Sequence, residues 1–234
     1  MVNILTGTPF DPPKRLNHRD DEVALEFPSS AGSRSRGLLA LKAQNWRARK
    51  DPLLYDREVE WLGFTWDNIN KASFIVVDII PSLSDRIEVK WSDADRRNIF
   101  GTTKKDYWRR SALGCFGNEF WIGQKYLSVT YGTSGELVYD NKSVWIDGSM
   151  VASAPDATEE PIRGFLIGGM ISSQLGPIPE YGFSGKMHYF KFWHGGNLVL
   201  DYIPVVKDGV GYMFNRVDGT LRGNDGTNAF SFPS

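Results

Sequence analysis

The chain lacks most of the features that announce a chemistry. It has a single cysteine, Cys115, so it can form neither an intrachain disulfide nor a Cys-rich zinc site. That residue sits in a strand-like context and reads as a small buried hydrophobe. No apolar run approaches the roughly 18 residues of a membrane span, so no membrane partner is expected. An excess of one charge is missing too. The 27 basic and 28 acidic residues leave a formal charge of −1, without the basic surplus of nucleic-acid coats. No nucleic-acid partner is expected either. No apolar heptad persists over three turns, which argues against a coiled-coil stalk. No repeat of about 20–50 residues marks a propeller or solenoid. The opening residues, MVNILTGTPFDPPKRLNHRDDE, show no charged region followed by an apolar one, so no secretory signal is expected.

Catalytic motifs are equally scarce. There is no G-x-S-x-G, and Gly132-Thr133-Ser134-Gly135 reads as a turn. The histidines His18, His188 and His194 have no H-E-x-x-H spacing. Glu58 and Glu60 share one strand face, but no further acid follows at the step a paired-carboxylate glycanase needs. Glu159 and Glu160 would point to opposite faces. Gly182 to Lys186 lacks the remaining residues of a phosphate loop. Asp93-Ala94-Asp95 and Asn224-Asp225-Gly226 offer hard oxygens for calcium, without a diagnostic spacing. The expectation is a protein that is not an enzyme, with no catalytic residue, no metal and no cofactor.

What the chain does have is β structure. Its composition changes near residue 56: only three of the 24 glycines precede that point. Residues 1–56 carry nine basic and seven acidic groups, net +2. Pro9, Pro12 and Pro13 fix an extended course. Ser29 to Gly37 reads as a loop. Leu38 to Lys50 fits a helix as well as it fits a strand followed by a basic turn. From Glu58 onward, alternating and β-branched runs recur. Ser73–Ile80, Arg86–Trp91, Gly185–Trp193, Val210–Asn215 and Ala229–Phe232 are examples. Asp147-Gly148, Gly195-Gly196, Asp208-Gly209, Asp218-Gly219 and Asp225-Gly226 separate runs as turns. The expected fold is all-β, an antiparallel jelly-roll β-sandwich over 57–234 with an extended N-terminal arm over 1–56.

The segment Phe183-Ser184-Gly185-Lys186-Met187-His188-Tyr189-Phe190-Lys191-Phe192-Trp193 is followed by Gly195-Gly196-Asn197-Leu198-Val199-Leu200-Asp201-Tyr202. Then come Gly209-Val210-Gly211-Tyr212-Met213-Phe214-Asn215 and Gly223-Asn224-Asp225-Gly226-Thr227. This pattern resembles the C-terminal signature of concanavalin A-like, laminin-G-like jelly rolls. Such domains recur in structural proteins of gut bacteriophages and in surface proteins of gut bacteria. The resemblance implies a fold over about residues 57–234, and a virion structural component, attached to capsid or tail, as the function. Its partners would be other virion proteins, reached through the arm, and a host or mucus glycan. Copies would associate as homo-oligomers within the assembly. A bacterial carbohydrate-binding lectin is the alternative, and a glycan hydrolase the remote one.

Two groups of residues are candidates for contact. Tyr107, Trp108, Arg109 and Arg110 lie between strand runs, where two aromatics flanked by cations suit a sugar face or a protein partner. Trp66 is a second aromatic candidate. In the arm, Leu38, Leu41, Trp46, Arg47, Arg49 and Lys50 are the expected assembly anchor.

Overall fold

The computed structural model describes residues 54–68, 71–103, 111–171 and 179–234. The chain divides into two units, Met1–Pro52 and Leu53–Ser234. The described residues all belong to the second, and the arm residues Leu38 to Lys50 lie outside them.

The second unit is an antiparallel jelly-roll sandwich, and its described residues contain no helix. Numbered in chain order, the larger sheet runs from β13 (Ser149–Ser153) through β12 (Ser143–Ile146), β11 (Gly135–Asp140) and β6 (Arg86–Arg97). It continues through β16 (Pro179–His194), β17 (Asn197–Lys207), β18 (Val210–Asn215) and β19 (Thr220–Arg222). Three short strands join it from the side. They are β1 (Arg57–Glu58) on β17, and β2 (Leu62–Phe64) and β15 (Gly169–Ile171) on β16. The smaller sheet orders β10 (Lys125–Ser128), β9 (Glu119–Ile122), β8 (Ser111–Phe116), β7 (Phe100–Thr103), β14 (Phe165–Ile167) and β5 (Ile75–Val77). A hairpin, β3 (Trp66–Asn68) with β4 (Lys71–Ala72), stands apart.

Alternation decides which face is core. On β6, Ile87, Val89 and Trp91 are buried between the sheets, while Arg86, Glu88 and Lys90 point away. Leu137 and Tyr139 on β11, Phe190 and Phe192 on β16, and Tyr202 on β17 continue the inner face. Phe100, Phe120, Cys115 and Phe165 meet them from the smaller sheet. The aromatic centre is interlocked edge to face, with Phe100–Phe190 at 5.9 Å and Phe165–Phe192 at 5.2 Å.

The tight turns follow their dipeptides. Asp147-Gly148 has φ of 49° and 78°, and Asp208-Gly209 has 51° and 75°. These left-handed pairs match the twist of a two-residue hairpin. Asp225-Gly226 differs from the expectation of a hairpin turn. Asn224 Oδ1 accepts from the Phe74 N–H at 2.8 Å, and Asp225 Oδ2 from the Val76 N–H at 2.7 Å. The residues from 223 to the C-terminus form a strap along β2, β4 and β5. Ser231 makes one bridge with Gly63 where a strand over Ala229–Phe232 was expected. The run Ser73–Ile80 likewise pairs only over Ile75–Val77, because the chain then leaves the smaller sheet to begin β6 in the other layer.

Candidate ligand-binding face

The outward face of the larger sheet gathers the exposed chemistry. Cross-strand pairing sets side chains in rows. One row runs Asp140, Arg86, Trp193, Leu198 across β11, β6, β16 and β17. The next runs Trp145, Val138, Glu88, Lys191, Asp201. The third runs Glu136, Lys90, Tyr189. Trp145, Trp193 and Tyr189 are all half-buried, so each shows an aromatic surface to solvent.

Charges between the aromatics are paired. Arg86 Nη1 donates to Asp140 Oδ2 at 2.9 Å, and its Nε to Glu88 Oε1 at 3.0 Å. The Arg86 guanidinium also lies 5.3 Å from the Trp193 ring centre. Lys191 Nζ lies 3.9 Å from Glu88 and 5.2 Å from the Tyr189 ring. Burial, aided by a hydrogen bond to Glu136, pushes the Tyr189 phenol well above its ordinary value, so it remains neutral. The result is a face of mixed charge with two indoles and polar groups held by ion pairs. Such a face can stack on the apolar side of a sugar ring and bond its hydroxyls.

One end of this face is held by Asp85. Its buried carboxylate accepts from Ser82 N–H at 2.7 Å and Gly195 N–H at 3.0 Å, and lies 2.8 Å from His194 Nδ1. The carboxylate therefore fixes the β16–β17 turn beside Trp193. The other strand histidine, His188, lies 2.9 Å from Ser92 Oγ through Nε2 and 3.0 Å from the Glu60 carbonyl through Nδ1. The order serine, imidazole, acceptor is that of a nucleophilic relay. Its acceptor, however, is a neutral carbonyl, which stabilises an imidazolium far less than a carboxylate does. Burial also holds the imidazole below its ordinary value, which makes it a weaker base. The arrangement instead joins β6, β16 and the segment leading into β2 at the bulges of β16.

Other candidates fall elsewhere. Tyr107, Trp108, Arg109 and Arg110 lie outside the described residues, between β7 and β8. Trp66 packs its indole on Gly182, where a Cβ would run into the ring, and against the small cluster of Ala72, Phe74 and Leu166. Its place is in the packing of the β3–β4 hairpin. Of the oxygens considered for calcium, Asp93 pairs with Lys186 at 2.6 Å, and Asn224 and Asp225 accept from backbone N–H groups. Cys115 is buried, and that burial pushes its thiol up to about 12.

The sheet face itself was missed in the sequence as a unit. Its signal was available in the polar half of the alternation in Arg86–Trp91 and Gly185–Trp193. The partner strands β11 and β12 that complete it come from a separate hairpin. A scan against protein-family models finds no match to this chain, and a search of curated proteins finds none either.

Proposed function

We propose that the protein is a non-enzymatic structural component of a bacteriophage virion, docked to capsid or tail through residues 1–56 and displaying the sandwich outward. What supports the reading is a separation along β17. The chain joins the sandwich at Asp56–Glu58, beside Val205 and Val206 near one end of that strand. The Trp193 row lies at Leu198, eight residues away, which is about 26 Å of extended strand. The Trp193 indole thus lies well along the strand from the residues at which the sandwich begins. The likeness of residues 183–227 to phage jelly rolls supplies the virion context. The pairing of Trp193, Arg86 and Asp140 favours carbohydrate as the contacted partner, which is also what a bacterial lectin would need.

Two measurements test this. Purified particles, analysed by mass spectrometry and immunogold labelling, are expected to contain the chain in fixed stoichiometry. Absence from particles, with recovery in a bacterial envelope, would overturn the virion reading in favour of the lectin. Incubation with a broad panel of polysaccharides is expected to release no reducing ends. Release abolished by a single Asp or Glu substitution would show an enzyme.

A further inference from the structure

We infer that β13, the free edge of the larger sheet, pairs antiparallel with the β13 of a second copy of this chain, about a twofold axis at Val151. The inference stands on the edge itself and not on the virion reading.

An exposed edge strand offers unpaired N–H and C=O groups, and proteins guard such edges with charge, proline, bulges or cover. The two sheets have four ends among the described residues, and three are guarded. The β10 edge carries Lys125, ion-paired with Asp156. The β19 edge carries Arg222. The β5 edge is capped by the strap, whose Asp225 carboxylate takes the Val76 N–H. Among these four ends, β13 alone carries no charged residue and no strap over its outer side. From Gly148 to Pro155 there is no charged residue. Met150 is 63% exposed and Val151 43%. The edge keeps one protection, a bulge: Trp145 pairs with Met150 and Val144 with Ala152, which leaves Val151 as the extra residue.

The sequence of the strand is complementary to itself. In an antiparallel pair centred on Val151, Ser149 faces Ser153, Met150 faces Ala152, and Val151 faces its own copy. Continuing outward, Asp147 would face Pro155 and not another acid, so no like charges oppose. Pro155, with no N–H to offer, ends the ladder symmetrically on both sides. The symmetry is that of an isologous dimer. Met150 lies beside Trp145 in the row described above, so pairing would set two ligand-binding faces side by side in one continuous sheet, where two weak contacts reinforce each other. Five residues a side bury far less than the roughly 1,200 Å² of a stable interface. The pairing is therefore concentration-dependent in free solution.

The test uses the full chain in sedimentation velocity over a wide concentration range. A reversible monomer–dimer equilibrium is expected, and Val151→Lys is expected to abolish it while leaving the circular dichroism spectrum and melting temperature unchanged. As a second measurement, Val151→Cys is expected to cross-link to itself on mild oxidation, because directly opposed residues approach within disulfide reach. Tyr126→Cys on the guarded β10 edge is expected not to. A dimer that survives Val151→Lys overturns the proposal. So does a wild-type chain that stays monomeric throughout while Val151→Cys fails to cross-link. If the isolated chain is monomeric but Val151→Lys prevents its incorporation into particles, the edge receives a strand of a different protein and homotypic pairing is wrong.

Discussion

His188 shows how a single side chain couples this sandwich to pH. Its ring sits between the Ser92 hydroxyl and the Glu60 carbonyl, and desolvation holds its affinity for protons below that of a free imidazole. The unfolded chain then binds more protons than the folded one as pH falls below about 6.5. His188 thus contributes full stability above that pH, and the contribution is lost as pH falls toward the folded value. Asp156 and Asp218, both held below the ordinary carboxylate value of 3.8, lose their contributions only in a more acidic window. Urea midpoints measured from pH 8 down to 5 should therefore decline for the native chain. His188→Ala should lower stability by about 1–3 kcal/mol at pH 8, where two polar groups lose a partner, and should flatten the decline. An equal slope in both proteins would mean that the imidazole is not the titrating group.

The strap adds ties between elements that the ladders do not pair. Asn224 and Asp225 cap the N–H groups of Phe74 and Val76, and Phe230 packs 4.6 Å from Phe64. Replacing both polar residues by alanine should cost about 1–3 kcal/mol at the part-buried Phe74 N–H and less at the exposed Val76 N–H, and should uncover the β5 edge. Guanidinium unfolding would measure the first effect and light scattering the second; a variant as stable and soluble as the parent would show that the strap is dispensable. This strap also marks where sequence reading fails. Asp225-Gly226 has the composition of a hairpin turn, yet its carboxylate acts on a strand about 150 positions earlier, and composition carries no information about so distant a partner. The strand β18 was legible to the residue, because it alternates between turns with definite chemistry at Asp208-Gly209 and Asp218-Gly219. The edge strand β13 was not legible: Ser-Met-Val-Ala-Ser has no alternation, and a bulge breaks its register. The turn at Asn141-Lys142 was also hidden, since a lysine at φ 66° is not what a left-handed position advertises. The aromatic face was half legible, as the outward residues of two strands whose neighbours only topology could name.

At the scale of the whole molecule, the decisive question is how much of the chain the sandwich needs in order to fold. Composition places the change near residue 56, but Tyr55 and Asp56 already serve the sheet. Tyr55 packs 4.9 Å from Phe214, the Asp56 N–H donates to Val206 at 2.8 Å, and Asp56 Oδ2 accepts from the Asp208 N–H at 2.7 Å. Arg57 then reaches the Pro233 carbonyl at 3.0 Å, which ties the start of the sandwich to its strap. A chain of residues 54–234 should therefore fold with native stability. One of residues 57–234 should fold about 1–2 kcal/mol less stably, for the backbone hydrogen bond, the Asp56 carboxylate bond and the ring contact it gives up. Under the proposed docking through residues 1–56, neither incorporates into particles, because both lack Leu38, Leu41, Trp46 and the Arg47–Lys50 cations. With a net charge of only +2 on residues 1–56, moderate salt should weaken attachment of the full chain without abolishing it, since apolar burial is unaffected by screening. Co-sedimentation with particles reads incorporation, and thermal melts read the fold. If residues 54–234 fold and still incorporate, the sandwich itself makes the docking contacts. If they cannot fold, residues 1–53 supply part of its core.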